Sequence, residues 1–537
     1  MGESEINRRG KKRKIKNNKF ISRAKKKMKE GRFDILDAET YEYFLRIGES
    51  LRSMTADEDK TDFCSNVLKE TAGKEWDVMR HAMSSRILEA VIPVAPWADM
   101  EGIREAARDR RSWEGMGCPA RVLECLLKDS ARRINEDASE KVECIKFLET
   151  KSRLFLNNLE SQIWETNANH VTRCCLTCCS ESSENKLHEV VKEATLYVMG
   201  WGQLNDHFSN PLISGFLQIL LSSARKCCPK TCDKLLKHLN KVAFLPKSAP
   251  AEEGGLPRIF LDEPLLRLLE SAVTESSEKM FLKLFNNFFK DRLLPLALSD
   301  SHFALNKLIL ACSDKFIFEE IYAVLMESMD ELAAKGRFKI LTALSDRCLA
   351  LTTKQGDFIQ KIKVWLGCDQ KEDKFTQCLL RMTKLSELNE NSKIDMNGSL
   401  VLQNMFKFNK PIKVVESFLS SDPSELRAVA EDTKGSWVFN SFLTSSSVGD
   451  KSRMRLLAKM RGSYLPLAST KFGSRVFEEL WKSAKFKDRQ QMISELDRSL
   501  LSSQSGRVVA KKIQLELYLT DKKSWTSKHS NVKHFID

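Results

Sequence analysis

The chain has 537 residues, 42% of them hydrophobic, with only 13 Pro and 22 Gly, a composition that fills a large core and confines disorder to local segments. No stretch approaches the roughly eighteen uninterrupted apolar residues of a membrane span, and the basic N-terminus has no apolar core behind it, so neither a secreted nor a membrane-embedded protein is expected. The net charge is +14, the 15 Cys are scattered and odd in number as in a reducing compartment, and no P-loop, paired-glycine dinucleotide signature or HExxH motif points to an enzyme.

In chain order, residues 1-33 read as a basic arm. Thirteen Lys and Arg stand against three Glu between Met1 and Glu30, so +10 of the charge lies there and the rest is nearly balanced. NRRGKKRKIKNN and RAKKKMK attract polyanions and match nuclear or nucleolar import signals, which makes an import receptor an expected partner.

Residues 34-240 are amphipathic helices with apolar residues at period 3.6. SSRILEAV, PARVLECLL, ANHVTRCCL and LISGFLQIL share one register, which aligns Ser85, Ala120, Asn169 and Ser214 at a common position, here called i. The RCCLTCC segment contains the CxxC pair Cys175 and Cys178, and KCCPKTC adds Cys227, Cys228 and Cys232, so a four-thiolate zinc site can be drawn. Packing is the better reading. Cys174, Cys175, Cys178 and Cys179 fall on the stripe where sister helices carry Leu, Val and Trp, and no second CxxC stands at ribbon-like spacing, so no metal is expected.

Residues 241-390 diverge. DSHFALNKLI aligns at His302, and DEPLLRLLES and KGRFKILTAL are candidates for further units. Residues 391-520 carry the clearest copies, MNGSLVLQNMF, TKGSWVFNSFL, TKFGSRVFEELW and QSGRVVAKKIQL, each a Gly followed by a helix. Their i positions, Ser399, Ser436, Ser474 and Arg507, are 33 to 38 residues apart, within the range of helical solenoid repeats. Residues 521-537 read as a tail. The expected fold is all-α, a stack of about ten or eleven helical hairpins.

Each motif helix offers more than a core face. In TKFGSRVFEELW the apolar residues Val476, Phe477, Leu480 and Trp481 form one stripe, leaving Ser474 and Glu478 aligned on another face with Arg475 beside them. Ser85, Arg86 and Glu89 repeat that arrangement. The same positions hold Arg121 and Glu124, Asn169 with His170 and Arg173, Ser214 with Gln218, His302 with Phe303 and Asn306, Ser399 with Gln403, Ser436 with Trp437 and Asn440, and Arg507 with Lys511. Residues i and i+4 lie one turn apart and can grip a flat base edge, while an Arg or aromatic at i+1 can stack or meet phosphate. On a single helix a Ser is more simply an N-cap and an Arg–Glu pair a surface ion pair. Recurrence in one register favours RNA contact.

TYEYFLRIGESL, FCSNVLKETAGKE, SSRILEAVI, MNGSLVLQNMFKFNKPIKVV and SGRVVAKKIQLELY resemble the nucleolar protein nine family of pumilio-like (PUF) proteins, from about Ala38 to Leu519 and most weakly between Asn240 and Leu388. The resemblance implies a right-handed, curved α-solenoid of pumilio-like, armadillo-like repeats that binds pre-ribosomal RNA on its concave face. It further implies a role in small-subunit (18S) rRNA processing and ribosome assembly in the nucleolus, with assembly factors as partners, a monomeric state, and neither catalysis nor a cofactor. By the same resemblance Ser with Glu suggests guanine, Ser399 with Gln403 adenine, and Trp437 and Phe303 stacking platforms; Ala120, Leu400 and Arg507 depart from the base-reading pattern. The competing expectation is a HEAT- or armadillo-type protein-binding scaffold of nuclear import or complex assembly.

Overall fold

A computed structural model describes residues 35–53, 57–108, 117–250, 255–389 and 392–530; the basic arm at 1-33 lies outside them. The chain forms two compact units, Met1–Met280 and Phe281–Asp537. Among the described residues the fold is helical throughout, with no sheet, and no helix is long and apolar enough to cross a membrane.

Every motif helix of the sequence is a helix of the structure, and consecutive ones pack side by side within each unit. In the first unit the row runs α1 (Ser84–Val91), α2 (Gly117–Asn135), α3 (Thr166–Glu181), α4 (Pro211–Cys227) and α5 (Glu263–Thr274). In the second it runs α6 (His302–Ala311), α7 (Phe338–Ala350), α8 (Met396–Met405), α9 (Ser436–Thr444), α10 (Gly473–Ser483) and α11 (Gln504–Ile513). DEPLLRLLES and KGRFKILTAL thus form α5 and α7. Other helices back these rows, among them Lys141–Asn157 behind α2 and α3 and Pro229–Leu239 behind α4.

The apolar stripe explains the stacking. On α10, Val476, Phe477 and Leu480 are at most 2% exposed, and burying such side chains is worth roughly 1.5–3 kcal/mol each. The glycine at the start of the last four motif helices, within the first turn of α8, α10 and α11 and just ahead of α9, has a steric cause. A methyl group on Gly398 would collide with the carbonyl oxygen of Leu379, and one on Gly506 with that of Leu500; Gly435 and Gly473 meet Val429 and Leu467 in the same way. The motif helix therefore abuts the preceding backbone, an approach only Gly allows. In α1 Ser84 takes this place, and its hydroxyl donates to the carbonyl of Val78 at 2.6 Å.

The cysteine cluster lies inside. Cys174, Cys175, Cys178 and Cys179 of α3 are all buried, Cys179 Sγ sits 3.3 Å from the Ser152 hydroxyl, and burial pushes the Cys179 thiol up to about 12. Beyond α11, the segment read as a tail opens with a helix, Lys522–Ser530, whose Trp525 is fully buried and donates from Nε1 to the Ile513 carbonyl at 2.9 Å.

Candidate nucleic-acid interface

Position i is an inside position. Ser85, Asn169 and Ser399 are 0% exposed, Ser214 1%, Ala120 3%, Ser474 7%, and His302 and Ser436 8%. Arg507 is the exception and is exposed. A buried hydroxyl or amide needs a partner, and three of these residues find it on or just ahead of the next motif helix. Ser214 Oγ donates to the Pro264 carbonyl at 2.5 Å, Ser399 Oγ to the Lys434 carbonyl at 2.8 Å, and Asn169 Nδ2 to the Leu212 carbonyl at 3.2 Å. Leu212 and Lys434 each stand two residues ahead of the next position i, so the same clasp recurs from helix to helix. Ser474 instead donates to Lys471 of its own chain turn at 3.2 Å, Ser436 reaches the Thr433 carbonyl at 3.5 Å, and His302 Nδ1 donates to the Ser299 carbonyl at 3.1 Å.

This amends the expectation that Ser at i stands open on a base-gripping edge. In α4 and α8 the i+4 glutamine is drawn in as well. Gln218 Nε2 donates to Ser214 Oγ at 2.9 Å and Gln403 Nε2 to Ser399 Oγ at 3.0 Å. Five buried atoms at these positions lack partners: the hydroxyl of Ser85, Oδ1 of Asn169, Nε of Arg173 and both amide atoms of Asn306, a residue 4% exposed. An unpaired buried amide costs about 1–3 kcal/mol.

Position i+1 is an outside position. Arg86, Arg121, His170 and Arg475 are exposed, Phe303 is 48% exposed and Trp437 43%. Phe303 lies 4.1 Å from the ring of His302, and Lys339 Nζ stands 5.2 Å over its centroid. Lys339 occupies i+1 of α7, Arg267 i+1 of α5 and Val508 i+1 of α11; the sequence reading missed all three because it fixed no register for α5 or α7 and began α11 at Arg507. Leu400 is only partly exposed, and Gly215 leaves α4 with no side chain there.

The i+4 carboxylates tie neighbouring helices. Glu89 pairs with Arg121 at 3.0 Å and Glu478 with Lys512 at 2.6 Å, while Glu124 pairs within α2 with Lys128 at 3.2 Å. Asn440 is half-buried and Lys511 exposed. The first unit therefore presents cations and an imidazole at repeat spacing and the second cations with the rings of Phe303 and Trp437, surfaces suited to phosphates through charge and to bases through ring faces.

A family model, the NOP9-like PUF repeat domain, matches residues 177–508. The chain belongs to the NOP9-like PUF repeat family. Mouse nucleolar protein 9 is 24% identical over 357 residues, covering 61% of this chain and 55% of the mouse protein; this chain thus spans about half the length of that relative, as it does of human nucleolar protein 9. Pumilio homolog 23 of Arabidopsis thaliana is 21% identical over 554 residues, 92% of this chain and 73% of that protein. A solved structure of APUM23 lacking an insert region, with GGAAUUGACGG, superimposes with a TM-score of 0.67 at 19% identity, covering 92% of this chain and 99% of that one, a likeness of fold. The NOP9-like PUF match begins within α3 and ends within α11, so it holds most of the motif helices described above.

Proposed function

We propose that this chain is a non-catalytic RNA-binding protein and that its RNA is pre-ribosomal, bound in the nucleolus so that small-subunit rRNA processing and assembly can proceed. The observation that carries the reading is the exposed i+1 row, Arg86, Arg121, His170, Phe303, Trp437 and Arg475, held at repeat spacing by a scaffold whose i residues are buried. Cations alone would serve any polyanion; alternation with Phe303 and Trp437 suits single-stranded RNA, whose unstacked bases need flat partners. Membership in the NOP9-like PUF family, and relatives named nucleolar protein 9, support the ribosomal and nucleolar assignment. The basic arm fits an import receptor, assembly factors on the pre-ribosome are the expected protein partners, and the chain acts as a monomer. Crosslinking the protein to RNA in cells and sequencing the bound fragments tests this. Enrichment of small-subunit precursor sequences is expected, and fragments with no ribosomal enrichment would overturn the assignment.

A further inference from the structure

Among the described motif helices, α4 alone has glycine at i+1. Ser214 donates to the Pro264 carbonyl and Gln218 donates to Ser214, so α4 offers no cation of its own from these positions. The place above Gly215 is nevertheless filled. A methyl group on Gly215 would come within 3.0 Å of Nη1 and 3.7 Å of Cζ of Arg173, so the guanidinium of α3 lies across the bare backbone of α4.

Arg173 is held there by a definite set of contacts. Its Nη2 donates to Nδ1 of His170 at 2.9 Å, and its Nε is buried without a partner. Burial, only partly offset by nearby Glu124, holds its pKa below the ordinary arginine value. Arg121 and Lys512 meet carboxylates, those of Glu89 and Glu478, whereas among the described residues Arg173 lies in no ion pair. A partly desolvated, positioned guanidinium with no carboxylate in direct contact suits an anion, and its fork of donors matches phosphate oxygens.

We propose that Arg173 works in its neighbour's slot: lying over Gly215 and steadied by His170, it supplies to α4 the cation that α4 lacks and takes one phosphodiester of the bound strand. This rests on the RNA-binding reading above and adds to it that contacts are shared across a helix boundary.

The test is a salt series by fluorescence anisotropy on the full chain with a labelled single-stranded RNA of random sequence. Removing one phosphate contact flattens the slope of log affinity against log salt by about 0.7. R173Q is expected to show that flattening and a loss of about threefold to tenfold at low salt, alike for different RNA sequences, while R173K keeps the wild-type slope. R173Q combined with G215R, which places a guanidinium on α4 itself, is expected to restore most of the slope. Melting curves run alongside report a packing role, which would lower the melting temperature of R173Q and leave the slope unchanged; that outcome overturns the proposal. R475A separates the two levels of argument. If R475A weakens binding and R173Q does not, the shared slot is wrong and RNA binding stands; if neither changes, or the wild type fails to bind, the RNA reading itself falls and this inference with it.

Discussion

The two units use one scaffold to display different chemistry. At i+1 the first unit carries Arg86, Arg121, His170 and Arg267, with Gly215 overlain by Arg173, whereas the second carries Phe303, Lys339, Leu400, Trp437, Arg475 and Val508. Position i tells the opposite story, because it is buried in both units whether it is Ser, Asn, Ala or His. What separates the two positions is geometry: i is turned inside, where Asn169, Ser214 and Ser399 close on the backbone at the start of the next unit, while i+1 projects outside and varies. On this account the first unit holds RNA mainly by charge and the second adds stacking.

The largest expected effect lies in what the units share. Phe477→Ala, at a fully buried site on α10, removes core that no ligand supplies and is expected to lower stability by about 3–5 kcal/mol in denaturant melts. The clasp comes next. Ser399→Ala leaves the Lys434 carbonyl and Gln403 amide without their partner and is expected to destabilise by about 1–3 kcal/mol, whereas Ser85→Ala, at a hydroxyl with no partner, should melt like the wild type. Equal melting of the two would refute the structural role of position i.

The contrast in chemistry is sharpened by a matched pair of variants. Trp437→Ala is expected to lose about 1–3 kcal/mol of RNA affinity with no change in salt slope. Arg86→Ala is expected to flatten the slope by about 0.7 with a smaller loss of affinity at physiological salt. If the salt response follows the tryptophan instead, the division between the units is wrong. The smallest effect is expected at the Glu478–Lys512 pair, where Glu478→Gln should shift stability by only about 0–1 kcal/mol because both groups reach solvent.

Much of this was legible in the sequence. The 3.6-residue stripe located the motif helices, and the recurrent glycine of the last four marked their repeat, although its steric cause shows only in the structure. The identity of the exposed residues, Arg86, Trp437 and Arg475 among them, could be read as well, since i+1 lies off the apolar stripe. The fate of position i could not. A Ser ahead of the apolar stripe has the same local pattern whether it faces solvent or the next helix, and for Ser399 and Ser214 the deciding contact comes from a residue about 35 to 50 positions on, Lys434 and Pro264. The Lys522–Ser530 helix was missed for a related reason: its lone buried anchor, Trp525, packs on α11 rather than forming a stripe of its own.

Ultraviolet crosslinking of the full chain to RNA, with the crosslinked peptides identified by mass spectrometry, tests the central claim most directly. Crosslinks should concentrate on the exposed i+1 residues of the motif helices, with Phe303 and Trp437 foremost because ring stacking favours the reaction. Crosslinks confined instead to backing helices such as Lys315–Glu327 and Asp450–Lys459, with the motif helices bare, would contradict it.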